Sequence, residues 1–263
     1  MTKLEYTFLS DTLFKMLFIK YPHLLKKLVA VLLAINHDSI TNFDIKNPDM
    51  PPESLGDKFC RLDISMFVDG QIVDLEIQVE PKKDYTDRTL FYWSKGFSTA
   101  LSEGRKYSEL PCMVVISIVA FGMFDCEEYH SEFQLLEVSR HTPLTDKMAM
   151  HYFELPKLKE TIAPDNHLEL WLSLFRAETE EELEKLSALE VPEMRQAVEA
   201  YRQITVTPEF REAERLRSKA RRDEAQALYD KTCEIAKQMM ADGVSIEKIA
   251  LYTGLTMAEI ESL

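Results

Sequence analysis

Apolar residues along this chain follow two periods, and where the period changes, the predicted structure changes with it. Near the N-terminus, TLFKMLF and HLLKKLVAVLLAI repeat leucine, phenylalanine and valine at helical spacing. Ser10 or Asp11 can cap the first of these helices, and Pro22 suits the first turn of the second. SITNFDI predicts a short strand ended by the turn-rich NPDMPPESLG. KFCRLDISMFV and QIVDLEIQVE then alternate apolar and polar residues on either side of Asp69-Gly70. An amphipathic helix is predicted from about Thr86 to Ser102, followed by a buried strand at about Cys112–Phe121. EFQLLEVSR and MAMHYFEL predict two more strands. After Pro164 the strand signal stops and Glu, Leu, Ala, Lys and Arg dominate, so the rest is predicted helical. The last segment, ADGVSIEKIALYTGLTMAEIESL, predicts two short helices separated at Gly254. The order is α-β-β-β-α-β, then two strands, then helices. This gives an α/β domain over residues 1–165, a helical extension over 166–240 and a small helix-turn-helix-like tail over 241–263.

Asp-Gly between alternating runs is the strongest short-range hairpin signal a sequence offers. With Asp69 and Gly70 as the two central turn residues, Val68 pairs with Gln71, Ser65 with Asp74, Asp63 with Glu76 and Arg61 with Gln78. Period two then puts Leu62, Ile64, Met66, Val73, Leu75 and Ile77 on an apolar face. Arg61, Asp63, Ser65, Asp74, Glu76 and Gln78 gather on the other. Taken by pattern, this is an ordinary half-exposed hairpin with a solvated polar face. Two directly opposed carboxylates, however, lie roughly 5 Å apart at Cβ and repel. A divalent cation relieves that repulsion, because Mg²⁺ binds through one or two carboxylates plus waters and phosphate oxygens. Such an ion can activate water against a phosphodiester. Gln78, on the same face, can orient water or phosphate but supplies no charge. A three-residue turn would shift the register and dissolve the arrangement.

Composition narrows the class. The chain of 263 residues is 46% hydrophobic, ample for a core. Four cysteines lie scattered without a CxxC pair, which fits reduced thiols in a cytoplasmic protein. The start MTKLEYTFLSD lacks a secretory pattern. CMVVISIVAFGMF is too short to span a bilayer, so no membrane role is expected. A net charge of −14 argues against a protein that coats nucleic acid by phosphate neutralisation alone. It leaves open a nuclease whose acids are offset by bound cations.

LDI followed about a dozen residues later by LEIQ resembles the PD-(D/E)XK nuclease superfamily, in particular its recombination-promoting nuclease (Rpn) and transposase branch. In that branch Gln commonly stands where other members carry Lys. SDTLFKMLF, RLDISMFVDG, the run from Arg88 through Tyr92 to GRKYSELPCMVVISIVAF, HYFELPKL and GVSIEKIALYTGLTMAEIESL agree in order along nearly the whole chain. The resemblance implies an αβββαβ core with a mixed sheet, with Asp63 and Glu76 as metal ligands for Mg²⁺ or Mn²⁺. It places Gln78 at the position of the catalytic lysine, and Asp11 at the acid on the first helix that sometimes joins the metal site. A helix cap is the other reading of Asp11. Lys15, one turn further on, can meet phosphate or solvent. Arg88, Tyr92, Lys95 and Thr99 form a polar stripe at helical spacing. Arg88 is there a phosphate contact or a structural ion pair.

Two function classes follow. The first is a metal-dependent DNA endonuclease linked to recombination or mobile elements; nothing in the sequence separates RNA from DNA as its substrate. The second is a non-catalytic DNA- or partner-binding module on the same fold. The C-terminal segment, whose second helix TMAEIESL is acidic, suits packing or pairing better than groove reading, so a homo-oligomer through the helical region is expected. REAERLRSKARR, residues 211 to 222, is a basic cluster whose ordinary reading is a solvated helix face. The six histidines show no metal-ligand spacing.

Overall fold

The computed structural model describes residues 2–46, 49–50, 60–61, 63–101, 106–161 and 163–263. Leu62, the predicted helix end at Ser102, the Gly104-Arg105 pair and most of NPDMPPESLG lie outside the described residues. The chain divides into two compact units, Met1–Thr207 and Pro208–Leu263.

The first unit opens with α1 (Asp11–Lys20) and α2 (Pro22–Leu32). Ser10 is the N-cap of α1, its hydroxyl accepting the Leu13 N–H at 3.3 Å, and Pro22 stands in the first turn of α2. The strands follow as β1 (Phe43–Lys46), β2 (Asp49–Met50), β3 (Cys60–Arg61), β4 (Ile64–Val68) and β5 (Gln71–Gln78). Helix α3 (Tyr85–Thr99) leads to β6 (Cys112–Val119), β7 (His130–Phe133) and β8 (Met148–Glu154). Among the described residues, a six-stranded mixed sheet has the order β1-β4-β5-β6-β8-β7, and β2 and β3 form a separate pair. β5 and β6, and β6 and β8, run parallel, and the other neighbours run antiparallel. Parallel pairing of β5 with β6 requires a crossover, and α3 is that crossover. Helices α4 (His167–Arg176), α5 (Glu180–Ser187) and α6 (Pro192–Thr205) complete the unit. α1, α2, α4 and α6 pack on one another around a buried aromatic group that includes Phe8, Phe14, Phe18, Trp171 and Phe175.

The crossover explains one departure from the sequence reading. Tyr85, Trp93 and Phe97 of α3 pack with Ile72, Met113, Val115, Val119, Met150 and Tyr152. By register this is the face that also carries Asp74 and Glu76. The polar face of the hairpin is therefore not solvated: Ser65, Asp74 and Glu76 are buried, as are Val73 and Leu75 opposite. An interior strand of a parallel sheet is covered on both faces, whatever its alternation suggests.

The strand read in EFQLLEVSR is also displaced, since β7 ends at Phe133. Beyond it the Glu137 carboxylate accepts the N–H groups of Ser139 and Arg140, and His141 takes a left-handed φ of 54°. These local bonds compete with a ladder and turn the chain instead.

The second unit comprises α7 (Pro208–Ala241), α8 (Ile246–Thr253) and α9 (Met257–Glu261). Gly254, at φ 74°, ends α8 in the left-handed conformation that glycine takes without strain. Ala236, Ile249, Leu255 and Ile260 form its small core.

Candidate active site

The site is built by the hairpin of β4 and β5. Asp69 and Gly70 adopt φ of 45° and 90°, the left-handed pair of a type I′ turn, and Val68 faces Gln71 as the sequence predicts. The Asp69 carboxylate accepts the N–H groups of Thr41 and Asn42 and the Thr41 hydroxyl, at 2.8–3.0 Å. Those donors hold its pKa below the ordinary carboxylate value and tie the turn to the segment entering β1.

At the other end the ladder stops at Ile64 opposite Leu75, and Asp63 lies just outside β4. Two carboxylates take over there. The Asp63 N–H donates to Glu76 Oε1 at 2.9 Å, and the Ile77 N–H donates to Asp63 Oδ2 at 2.9 Å. Each acid thus holds backbone of the opposite segment, which brings both side chains to one point. The predicted pairing of Arg61 with Gln78 does not form. Arg61 pairs instead with Asp49 in the β2–β3 ribbon, because the chain leaves the sheet once the Asp63 carboxylate has occupied the Ile77 N–H.

The first helix supplies the neighbours of Asp63. Ser10 fills the cap, so the Asp11 carboxylate is buried beside Asp63, whose pKa it raises. Lys15 Nζ sits 2.8 Å from Asp11 Oδ1 and 3.3 Å from Asp63 Oδ1. Burial is the main reason that Asp63 titrates at about 6, with Asp11 adding to the rise and the Ile77 N–H and Lys15 opposing it. Glu76 is raised well above the ordinary value by burial first and by Asp63 second. Beneath them Asp74, opposite Ser65, is raised to about 7 by burial alone, with the Ser65 hydroxyl favouring the ionised form.

Helix α3 supplies the other side. Arg88 Nη2 donates to Gln78 Oε1 at 2.5 Å, and Gln78 Nε2 donates to the Glu80 carbonyl at 2.7 Å. The guanidinium lies 4.9 Å from the Tyr85 ring centroid and 5.8 Å from that of Tyr92, and its charge reaches Glu76. Both ends of the Gln78 amide are thus engaged, and a cation from α3 stands beside it. Lys95 and Thr99 continue the stripe along α3, where the Thr99 hydroxyl donates to the Lys95 and Gly96 carbonyls of the same helix. The sequence did not single out Asp74 as a second buried acid, or Tyr85 as the shelf for Arg88. Both depend on the burial of this face, which local alternation does not reveal.

Asp11, Asp63, Glu76, Lys15, Gln78 and Arg88 therefore gather at one end of β5. Among the described residues no three His, Cys, Asp or Glu side chains stand in metal-ligand array, and Lys15 occupies the space between Asp11 and Asp63. The donor chemistry nevertheless suits a hard divalent cation: these are oxygen ligands whose charge is opposed by burial and by each other, already gathered around one cation. No helix among the described residues is long and apolar enough to cross a membrane.

The family model described as PD-(D/E)XK nuclease family transposase matches residues 8–231. No curated protein and no solved structure matches the chain.

Proposed function

This chain belongs to the PD-(D/E)XK nuclease family transposases, and from that premise we propose that it is a Mg²⁺- or Mn²⁺-dependent DNA endonuclease acting in the cytoplasm on recombination or mobile-element intermediates. The observation that carries the reading is the mutual bracing of Asp63 and Glu76, each holding backbone of the other's segment. That geometry fixes two acids together in a buried place where neither gains stability from its charge.

Asp63 and Glu76 would hold the ion, with Asp11 as a further acid. When bound, the ion supplies Lewis acidity, lowering the pKa of a water and neutralising phosphate charge. The rest falls to the chain. Lys15 neutralises Asp11 and Asp63 in their present arrangement, and its ammonium stands where it would meet a phosphate oxygen at this end of β5. Arg88, held over Tyr85, presents a second cation beside Gln78. Gln78 occupies the position of the family's lysine and positions Arg88 rather than carrying charge itself. The covered face beneath, with Tyr85 and Ser117 buried, keeps bulk water away from Glu76. Residues 1–165 hold all of these groups.

The test is incubation of the purified full chain with supercoiled plasmid DNA and Mg²⁺, with and without EDTA, beside Asp63→Asn. Metal-dependent nicking that drops by orders of magnitude in a folded Asp63→Asn protein is the expected result. Equal cutting by the variant, or none by the parent in Mg²⁺ or in a parallel Mn²⁺ incubation, overturns the reading in favour of a binding module.

A further inference from the structure

Helix α7 carries a feature that the catalytic reading does not use. Its residues 211–222 hold six cations and two carboxylates, within a chain of net charge −14. Arg211, Arg215, Lys219 and Arg222 recur at steps of four, four and three, which puts them on one face of the helix over about 16 Å of axis. Arg217 and Arg221 point to the other side. Residues 215–231 are exposed without interruption, so among the described residues nothing covers this face. Arg215 is forked onto Glu212, through Nε at 2.8 Å and Nη2 at 2.7 Å. No carboxylate among the described residues lies within 4.0 Å of Arg211, Lys219 or Arg222.

A helix stretch whose side chains are exposed throughout gains little from its own tertiary packing. A line of four cations at intervals of about 4.5–6 Å, three of them without a carboxylate and Arg215 on Glu212, instead matches a partner that repeats negative charge along a line. We propose that this face of α7 grips the phosphate backbone of nucleic acid, independently of sequence and of the catalytic metal. The choice of nucleic acid over another polyanion rests on the nuclease reading; the charge geometry does not. The competing occupant is a second copy. Residues 223–234 of α7 hold Asp223, Glu224, Asp230 and Glu234 against Lys231, so an antiparallel α7 of another chain would also be complementary.

The experiment uses the full chain in EDTA, with a labelled DNA duplex of random sequence as probe, titrated between about 50 and 200 mM salt. Arg211→Gln, Arg215→Gln, Lys219→Gln and Arg222→Gln are combined in one variant. Arg217→Gln with Arg221→Gln is the control, and circular dichroism checks helix content in both. Losing three unpaired cations and one paired one should make the log–log salt slope shallower by about 3, at roughly 0.9 per phosphate contact. The control pair should change it by less than about 1 on the same scale. An unchanged slope, an equal loss in the control, or a loss that tracks dissociation of a dimer by light scattering overturns the proposal. Plasmid cleavage separates the two readings. Stripe-dependent binding without cleavage leaves the grip standing and removes the nuclease, and cleavage with stripe-independent binding does the reverse.

Discussion

Asp74 has no solvent exposure and titrates at about 7, where an ordinary aspartate has 3.8. The folded state therefore holds a proton that the unfolded chain releases, and the consequence for stability has a definite sign. Below about pH 4 both states are protonated and Asp74 imposes no penalty. As the pH rises towards 7 the unfolded state is increasingly favoured, and above 7 the penalty is constant. Asp63, at about 6, behaves the same way over a narrower window. Asp74→Asn removes the larger of these titrations. Its melting temperature relative to the parent should rise steadily from pH 4 to 7 and then level, with an upper bound of a few kcal/mol. The buried amide takes back part of that gain. Thermal melts across the range check it. A difference that is flat with pH would mean that Asp74 is ionised at every pH tested, and that burial does not govern this face.

The hairpin shows what the sequence made legible at the scale of elements. Its register was readable because Asp69 and Gly70 fix a two-residue turn and Ile64, Met66, Val73 and Leu75 alternate cleanly. The meeting of Asp63 with Glu76 follows from that register. Its end was not readable: nothing in CRLD announces that a carboxylate will take the Ile77 N–H and send Arg61 into another ribbon. Nor does alternation reveal that α3 covers the polar face, since coverage comes from a crossover whose fifteen-residue helix packs back over the sheet. The same limit hid the contact of His130 with His151, whose ring nitrogens lie 3.1 Å apart across neighbouring strands and share no local spacing. Because the turn sets the site, it can be tested through stability. Gly70 sits at φ 90° with open space where a Cβ would project, so Gly70→Ala meets backbone strain and no clash. It should lower stability by about 1–2 kcal/mol, seen as a lower urea midpoint at unchanged m-value. A midpoint equal to the parent's would show that the turn is not held in the left-handed conformation.

Across the whole molecule the two units are stabilised by different means. Residues Met1–Thr207 bury a large aromatic and aliphatic core, while Pro208–Leu263 relies on a few residues around Ala236 and Ile249. Sequence composition foresaw a helical second half, but not that one helix would run from Pro208 to Ala241 with its middle bare. The periodicity of that middle is ambiguous, because charges fall on every side of it. Phe210 and Glu214 are buried, and exposure begins at Arg215 and lasts to Lys231. Backbone hydrogen bonds in such a stretch open locally at little free-energy cost, because no buried side chains hold them shut. The same stretch is dense in Arg and Lys, so a trypsin-like protease meets its preferred residues where the helix is least protected. Limited digestion of the native protein should therefore cut first between Arg215 and Lys231, ahead of any site in the sheet. The larger fragment retains every candidate active-site residue. It should keep the melting behaviour of the first unit and its Mg²⁺-dependent nicking; a cut ahead of Lys219 also removes Lys219 and Arg222 and should weaken DNA binding in EDTA, whereas a cut after Arg222 should leave it unchanged. Mass spectrometry of the first fragments locates the cut, and melts and plasmid assays on the purified larger fragment follow. A first cut within residues 64–154 would mean that the middle of α7 is not the least protected stretch, and a larger fragment that unfolds once released would mean that the first unit does not hold by itself.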